Sequence, residues 1–371
     1  MTRLRSIIAG CAGLLAPFAL GAQGAPAVAR SGAYFESYSF GDGLAFKRIS
    51  EFTIPISVTQ RVGQRLVIDV GTAFASASVR QADGTTINHS GLIDTDLRAS
   101  FSMIPGKLIF NLVGSIPTGA TAVPDTTIPL FGATATDLLG FTTPSFGSGG
   151  GISAGFASAF RMGQNWAVGT GASFRQGASY QPVKGQPGQL SPGGEARARF
   201  GIEGPFGGGK YFRGALVYTS TANNGLGPTE ESGIGDRVLA YAAVSMPLGN
   251  SHLSLYGWDM RRLRARSWDQ PNTISVPRGN VLALGARLER LLGEHTTLAP
   301  MVEFRHELTG PGPKMELLGY LLRTGADLRY RVSDRAAVVL QAQVAFGSLN
   351  SLGVRVPIVG PRLGALLEWS R

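Results

Sequence analysis

The feature that most constrains this chain is an alternation of apolar and polar residues at period two, recurring in some sixteen short segments that tight turns join in pairs. The clearest pair runs from Ile93 to Ile116. Ile93, Thr95, Leu97, Ala99, Phe101 and Met103 fall on one face, and Asp94, Asp96, Arg98, Ser100 and Ser102 on the other. Pro105, Gly106 and Lys107 reverse the chain, after which Leu108, Phe110, Leu112 and Ile116 restart the apolar row. Strands of about ten residues with one apolar and one charged face, in even number, suit a wall that meets lipid on one side and water on the other. The expectation is an all-β transmembrane antiparallel barrel of sixteen strands, with fourteen or twelve as alternatives.

The pattern predicts strands at 34–40, 48–60, 65–79, 92–104, 108–117, 149–162, 166–178, 194–205, 210–220, 236–247, 252–262, 278–291, 296–307, 317–331, 336–346 and 360–369. Seven connections are short: 61–64, 105–107, 163–165, 206–209, 248–251, 292–295 and 332–335. Bacterial outer-membrane barrels have short turns at the periplasmic end and longer loops outside, and seven turns with both termini at that end count to sixteen strands.

The first residues speak to compartment. Two arginines in Met1 to Arg5, an apolar run over Ile7 to Leu20 and small residues at Gly21, Ala22 and Gly24 read as a cleaved secretory signal over 1–22. A short periplasmic segment, 23–33, then leads into the barrel, 34–371, so the expected location is the cell outer membrane. Cys11 follows Ile8, Ala9 and Gly10 as in a lipoprotein box, but most of the apolar run comes after it, which argues against a lipid anchor. It is the only cysteine, so the mature chain has no disulfide framework and no thiolate metal site. Charged residues make up 16% and hydrophobic ones 43%, a low charge content for a water-soluble globule and an ordinary one for a lipid-embedded barrel.

The last strand carries an assembly signal of the polar-x-Gly-x-x-apolar-x-aromatic kind, with Arg362, Gly364, Leu367 and Trp369, followed by Ser370 and Arg371. The connection 118–148 is exceptional in length, contains Pro124, Pro129 and Pro144, and carries the apolar pieces Ile128 to Phe131 and Leu138 to Phe141. So apolar a loop of that length is expected to fold over or into the lumen as a constriction, bringing Asp125 and Asp137 to the pore. The alternative is a loop that caps the rim.

From Gly91 to about Tyr180 the chain resembles the outer-membrane barrel family named for the meta-pathway of phenol degradation, relatives of hydrophobic-compound transporters. The residues that carry the resemblance are Gly91-Leu92-Ile93-Asp94-Thr95-Asp96-Leu97, Ile116-Pro117-Thr118-Gly119, the restart from Gly147 to Gly151, and Trp166-Ala167-Val168-Gly169 leading to Tyr180. The resemblance implies a membrane channel for small, often aromatic or apolar compounds. Fatty-acid transporters of that kin carry an N-terminal hatch, and Gln23 to Gly32 is too short to form one.

Motifs for other chemistry fail on context. Gly204 to Lys210 has the spacing of a phosphate-binding loop, but Tyr211 stands where Ser or Thr is required and a strand follows where a helix is needed. Gly149-Gly150-Gly151-Ile152-Ser153-Ala154 fits a dinucleotide spacing only trivially. The net charge is +10, but the arginines are spread over alternating strand positions and not clustered on a helix, so a nucleic-acid partner is not expected. Four histidines exist: His89, His252, His295 and His306. Only His89, beside Ser90 and near Asp94 and Asp96, could join an extracellular hydrolytic site, and adjacent strand residues point to opposite faces. An outer-membrane hydrolase is therefore a minor reading, and no enzyme activity, cofactor or metal is expected.

Parity places the inward, pore-lining row at Asp94, Asp96, Arg98, Glu195, Arg197, Arg199, Glu203, Arg213, Arg287, Glu289, Glu303, Arg305, Glu307, Arg323, Asp327, Arg329, Arg331 and Glu368. The two signs balance there, leaving excess positive charge to the connections, where Arg261, Arg262, Arg264 and Arg266 form the densest run. The expectation is a passive channel for small solutes, with membrane lipid, lipopolysaccharide and the outer-membrane assembly machinery as partners. A structural or surface-interaction barrel without transport is the alternative.

Overall fold

The computed structural model describes residues 27–143, 145–186, 188–226, 231–265, 273–310, 315–351 and 353–370. The expected signal segment, Pro144, Arg266 and Arg371 lie outside them. In chain order the strands are β1 (Ala27–Phe40), β2 (Phe46–Val62), β3 (Leu66–Gln81), β4 (Thr86–Leu92), β5 (Thr95–Ile104), β6 (Leu108–Ile116) and β7 (Gly151–Met162). There follow β8 (Trp166–Gly177), β9 (Leu190–Ser191), β10 (Glu195–Pro205), β11 (Tyr211–Thr221), β12 (Asn224–Leu226), β13 (Glu231–Gly233) and β14 (Arg237–Leu248). The last are β15 (Ser251–Arg262), β16 (Thr273–Ser275), β17 (Arg278–Leu291), β18 (Thr296–Gly310), β19 (Glu316–Ser333), β20 (Ala336–Ser351) and β21 (Val354–Ser370).

Both β4 and β5 pair antiparallel with β3, so they are two halves of one stave, and the wall has sixteen. The first stave pairs with the last, from Val28 opposite Ser370 to Phe40 opposite Ile358, which closes the barrel. Closure leaves the sixteen-stave wall itself without a free edge for another chain to extend. Strands β9, β12, β13 and β16 form a separate small sheet in the long connections. The seven expected turns all lie at one end.

Three sequence expectations need correction. The first strand starts at Ala27, so residues 27–33 of the expected periplasmic segment are wall: small Ala29, Ser31 and Ala33 on the outer row gave too little apolar contrast to read. The last pair of staves reaches Ser351 and back from Val354, so most of 347–359, expected as a loop, is strand. The row also breaks between Leu92 and Thr95, because Gly71 pairs with Asp96 but Phe74 pairs with Leu92, one residue out of step. This bulge turns Ile93 inward against the core and takes Asp94 off the inward ladder.

The outer face is apolar, with Leu97, Phe156, Phe174, Phe200, Leu284 and Leu340 all exposed. A belt of that kind is stable only against lipid. The long connection enters the barrel. A short helix, α1 (Ile128–Thr134), and the following Leu138, Leu139, Phe141 and Phe146 pack on Tyr38, Ile49, Val79, Leu321, Val356 and Ile358 of the inner wall. Each large apolar side chain buried this way contributes about 1.5–3 kcal/mol, so the loop is held by a dry core of its own within the barrel.

Candidate functional site

The inserted loop divides the interior into two unlike halves. Over the wall of β1–β4 and β17–β21 the inner charges are locked. Glu36 forms an ion pair with Arg362 at 3.4 Å and accepts a hydrogen bond from the Thr142 hydroxyl. Beside it Glu51 accepts from the Thr143 N–H and the Thr53 hydroxyl, each at 2.8 Å. Buried Arg323 donates to the Leu139 carbonyl at 3.0 Å and to the Tyr38 hydroxyl at 2.9 Å, and it lies 3.6 Å from Glu303. Arg305 pairs with Glu303 at 2.8 Å, donates to the Asp137 carbonyl and sits over the Trp258 ring. Gly140, at φ +61°, lets the loop pass that guanidinium, where a Cβ would collide with it.

Nearer the turns, Arg287 pairs with Asp327 and with Glu289, while Arg329 and Arg30 share Glu368. Glu307 approaches the backbone N–H of Leu138. Buried charges such as Glu36, Glu303 and Arg323 are tolerable only when paired and hydrogen-bonded, and the contacts of Glu36, Arg305 and Arg323 also fasten the loop.

The other half, over β5 to β11, is lined differently. Ser153, Gly155, Ala157, Gly169, Gly171 and Ser173 pave it, and a cavity of about 480 Å³ opens over them. Arg98 and Arg199 line that cavity, and both are exposed. Next to it Arg197 binds Glu195 at 2.5 Å, and Arg237 takes the other oxygen of the same carboxylate at 2.9 Å. Arg213 pairs with Glu203 at 2.9 Å. Asp96 accepts from the Ser115 hydroxyl.

The expected inward ladder thus divides between the two halves, and Asp94 serves the loop. Its carboxylate accepts from Ser148 N–H and hydroxyl at 2.7 and 2.8 Å and from Gly119 N–H at 3.2 Å, tying together the two ends of the long connection. Asp137 forms an ion pair with Arg262 at 3.5 Å, whereas Asp125 is exposed and its carboxylate accepts from the N–H of its neighbour Thr126. Of the arginine run, Arg261 and Arg262 end β15 and Arg264 follows it. At the closing seam Leu367 and Trp369 face outward and Gly364 packs on the Tyr34 ring. His89 is enclosed edge-on by Phe131 and Phe146, at 5.4 and 4.9 Å between ring centres. His306 lies beside Phe304 on the outer row.

The sequence reading missed Glu36, Glu51, Arg175 and Arg362. Each stands on the inner parity of its strand, but the inner rows of Glu36, Glu51 and Arg362 also carry Tyr38, Ile49 and Ile358, and that of Arg175 carries Gly169, Gly171 and Ser173, so in both cases little charge contrast marks the face. The apolar inner residues exist because the loop needs them.

Fold and interior together define a transmembrane β-barrel with a half-filled lumen. No protein family and no curated protein matches the chain. Among solved structures it is similar to a bacterial polysaccharide outer membrane secretin, at 8% identity over 92% of this chain and 97% of that one, with a TM-score of 0.49. It is also similar to outer-membrane expressed OmpT of Vibrio cholerae, at 11% identity, 94% and 99% coverage and a TM-score of 0.44. OpdQ of Pseudomonas aeruginosa gives 9% identity, 94% and 99% coverage and 0.43. No residue role is carried across from any of these, and the barrel assignment rests on this chain's own strand pairing.

Proposed function

We propose that the protein is an outer-membrane channel through which small solutes pass down their gradients. The observation that carries this reading is the asymmetry of the lumen. The loop and its apolar core occupy one side only, while the wall from β5 to β11 presents glycine, alanine and serine to a water-accessible cavity. A barrel built only for rigidity gains by filling that side with large side chains, as the other side is filled. Exposed Arg98 and Arg199 within it require water, because a guanidinium in a dry interior carries a desolvation cost of several kcal/mol.

The resemblance to the meta-pathway barrels extends the proposal to small aromatic compounds, which fit the size of the cavity. The alternative, a structural barrel without transport, draws support from the buried inner core. Planar-bilayer recording of refolded protein separates the two. Discrete conductance steps are expected, and a folded barrel that gives none overturns the channel.

A further inference from the structure

We propose that Arg98, Arg175 and Arg199 form a binding site for small organic carboxylates in the open half of the lumen, an inference that rests on the channel reading and names its substrate class. Almost every other inner arginine has an acidic partner: Arg197 and Arg237 share Glu195, Arg213 has Glu203, Arg262 has Asp137, and Arg287, Arg305, Arg323, Arg329 and Arg362 are paired on the filled side. Among the described residues no carboxylate lies within ion-pair distance of Arg98, Arg175 or Arg199.

The neighbouring acids are engaged by other partners. Asp69 is the register partner of Arg98, yet its carboxylate accepts from the Thr59 hydroxyl at 2.6 Å. Asp96, one inward position along the strand from Arg98, is bound to Ser115. Glu195 is opposite Arg175 in register, and both its oxygens are taken by Arg197 and Arg237. Among the described residues, three exposed guanidiniums are therefore left without an ion-pair partner of their own, although Asp96 and Glu195 line the same cavity.

They also converge on one space. Arg98, Val113, Ser153 and Arg175 follow one another across four adjacent staves in register. Arg98 and Arg175 are thus about 14 Å apart along the wall, and the two residues between them are small. Arg98, Arg175 and Arg199 line one cavity of about 270 Å³ together with Arg197, Glu195 and Asp96, so four arginines face two carboxylates there and the cavity keeps an excess of positive charge. That volume suits a molecule of a few carbon atoms. The planar fork of each guanidinium matches a carboxylate in bidentate geometry, and separate forks favour a short dicarboxylate over a monocarboxylate.

Two measurements on the full-length refolded protein test the proposal: reversal potentials across a potassium chloride gradient near 0.1 M, and calorimetric titration of the detergent-solubilised barrel with succinate. The wild-type channel is expected to prefer chloride, and Arg98→Gln with Arg199→Gln to reduce the chloride-to-potassium permeability ratio by about threefold and to abolish the succinate heat. Neutralising the Arg213 and Glu203 pair, as R213Q with E203Q, is expected to change neither. Folding of every variant is checked by the mobility shift between boiled and unboiled samples. A conducting channel that neither prefers anions nor binds succinate overturns the site and leaves the channel reading standing. Succinate binding without conductance upholds the site and overturns the channel, and a folded barrel with neither overturns both.

Discussion

Glu36 of β1 is the register partner of Glu51 of β2, and both side chains are inside the barrel with 1% of their surface exposed. Two acids in direct cross-strand contact oppose each other, so their position needs a compensating gain. The gain is the inserted loop. Glu36 holds Thr142 and Glu51 holds Thr143, so consecutive residues of the loop are clamped by consecutive staves, with Arg362 as counter-ion to Glu36.

Replacing Glu36 by alanine is expected to loosen that clamp. Arg362 would then be left without its acid in a largely closed environment, and breaking a buried pair from one side costs about 3–5 kcal/mol. The midpoint of the heat-induced mobility shift should fall, and single-channel traces should become noisier as the loop moves within the lumen. A variant with unchanged midpoint and quiet conductance would mean that the apolar core alone holds the loop.

The lipid-facing row gives a prediction of location. Leu284 and Leu340 are exposed on the outside, and arginine at either is expected to cost about 2–4 kcal/mol near mid-depth and to reduce folding into vesicles. Gln341, on the inner row, should accept arginine. Ala283 should not, although it is also inward: it has no exposed surface and lies opposite Arg305 and Trp258 in register. Folding yields into lipid vesicles for the four single variants check the pattern, and equal yields for Leu340→Arg and Gln341→Arg would contradict the assignment of faces.

How far the sequence foretold this depends on whether an inner row meets water or the loop. Where it meets water with charged rows, on the strands of Asp96 and Arg98, of Arg197 and Arg199 and of Arg213, charge alternates with apolar residues and the parity was legible, whereas the glycine- and serine-paved rows of β7 and β8 between them hid Arg175. Where it meets the loop, Tyr38, Ile49 and Ile358 replace charge, and Glu36 and Glu51 were lost among them. The bulge at Ile93 and Asp94 was illegible for another reason: a one-residue slip changes no residue type, only its face. The pairing of particular acids with particular bases is a property of register between distant strands, which no local pattern encodes.

His89 tests whether a titratable residue on the loop side is chemical or structural. Its ring is packed between Phe131 and Phe146, and its Nε2 is buried without a hydrogen-bond partner among the described residues. A buried polar nitrogen without a partner costs about 1–3 kcal/mol, so His89→Phe should raise the unfolding midpoint or leave it unchanged, with conductance retained. A large loss of stability would show that the imidazole has a partner that phenylalanine cannot replace.

Removing residues 120–146 tests the loop's grip on permeation and on selectivity at once. The wall staves hydrogen-bond to one another without it, so the barrel should still form, with a lower unfolding midpoint because Tyr38, Leu321 and Val356 lose their apolar cover. Conductance should rise several-fold as the filled half opens. Two effects on ion preference then compete. Loss of Asp137 frees Arg262 and adds positive charge to the lumen, whereas widening moves the centre of the pore away from Arg98 and Arg199. The Debye length is about 8 Å at 0.15 M salt and about 3 Å at 1 M, so widening should win wherever the pore radius exceeds it. Reversal potentials of the deletion variant should therefore show chloride preference at low salt that fades at lower salt concentrations than in the intact channel, and unchanged conductance would place the loop outside the permeation path.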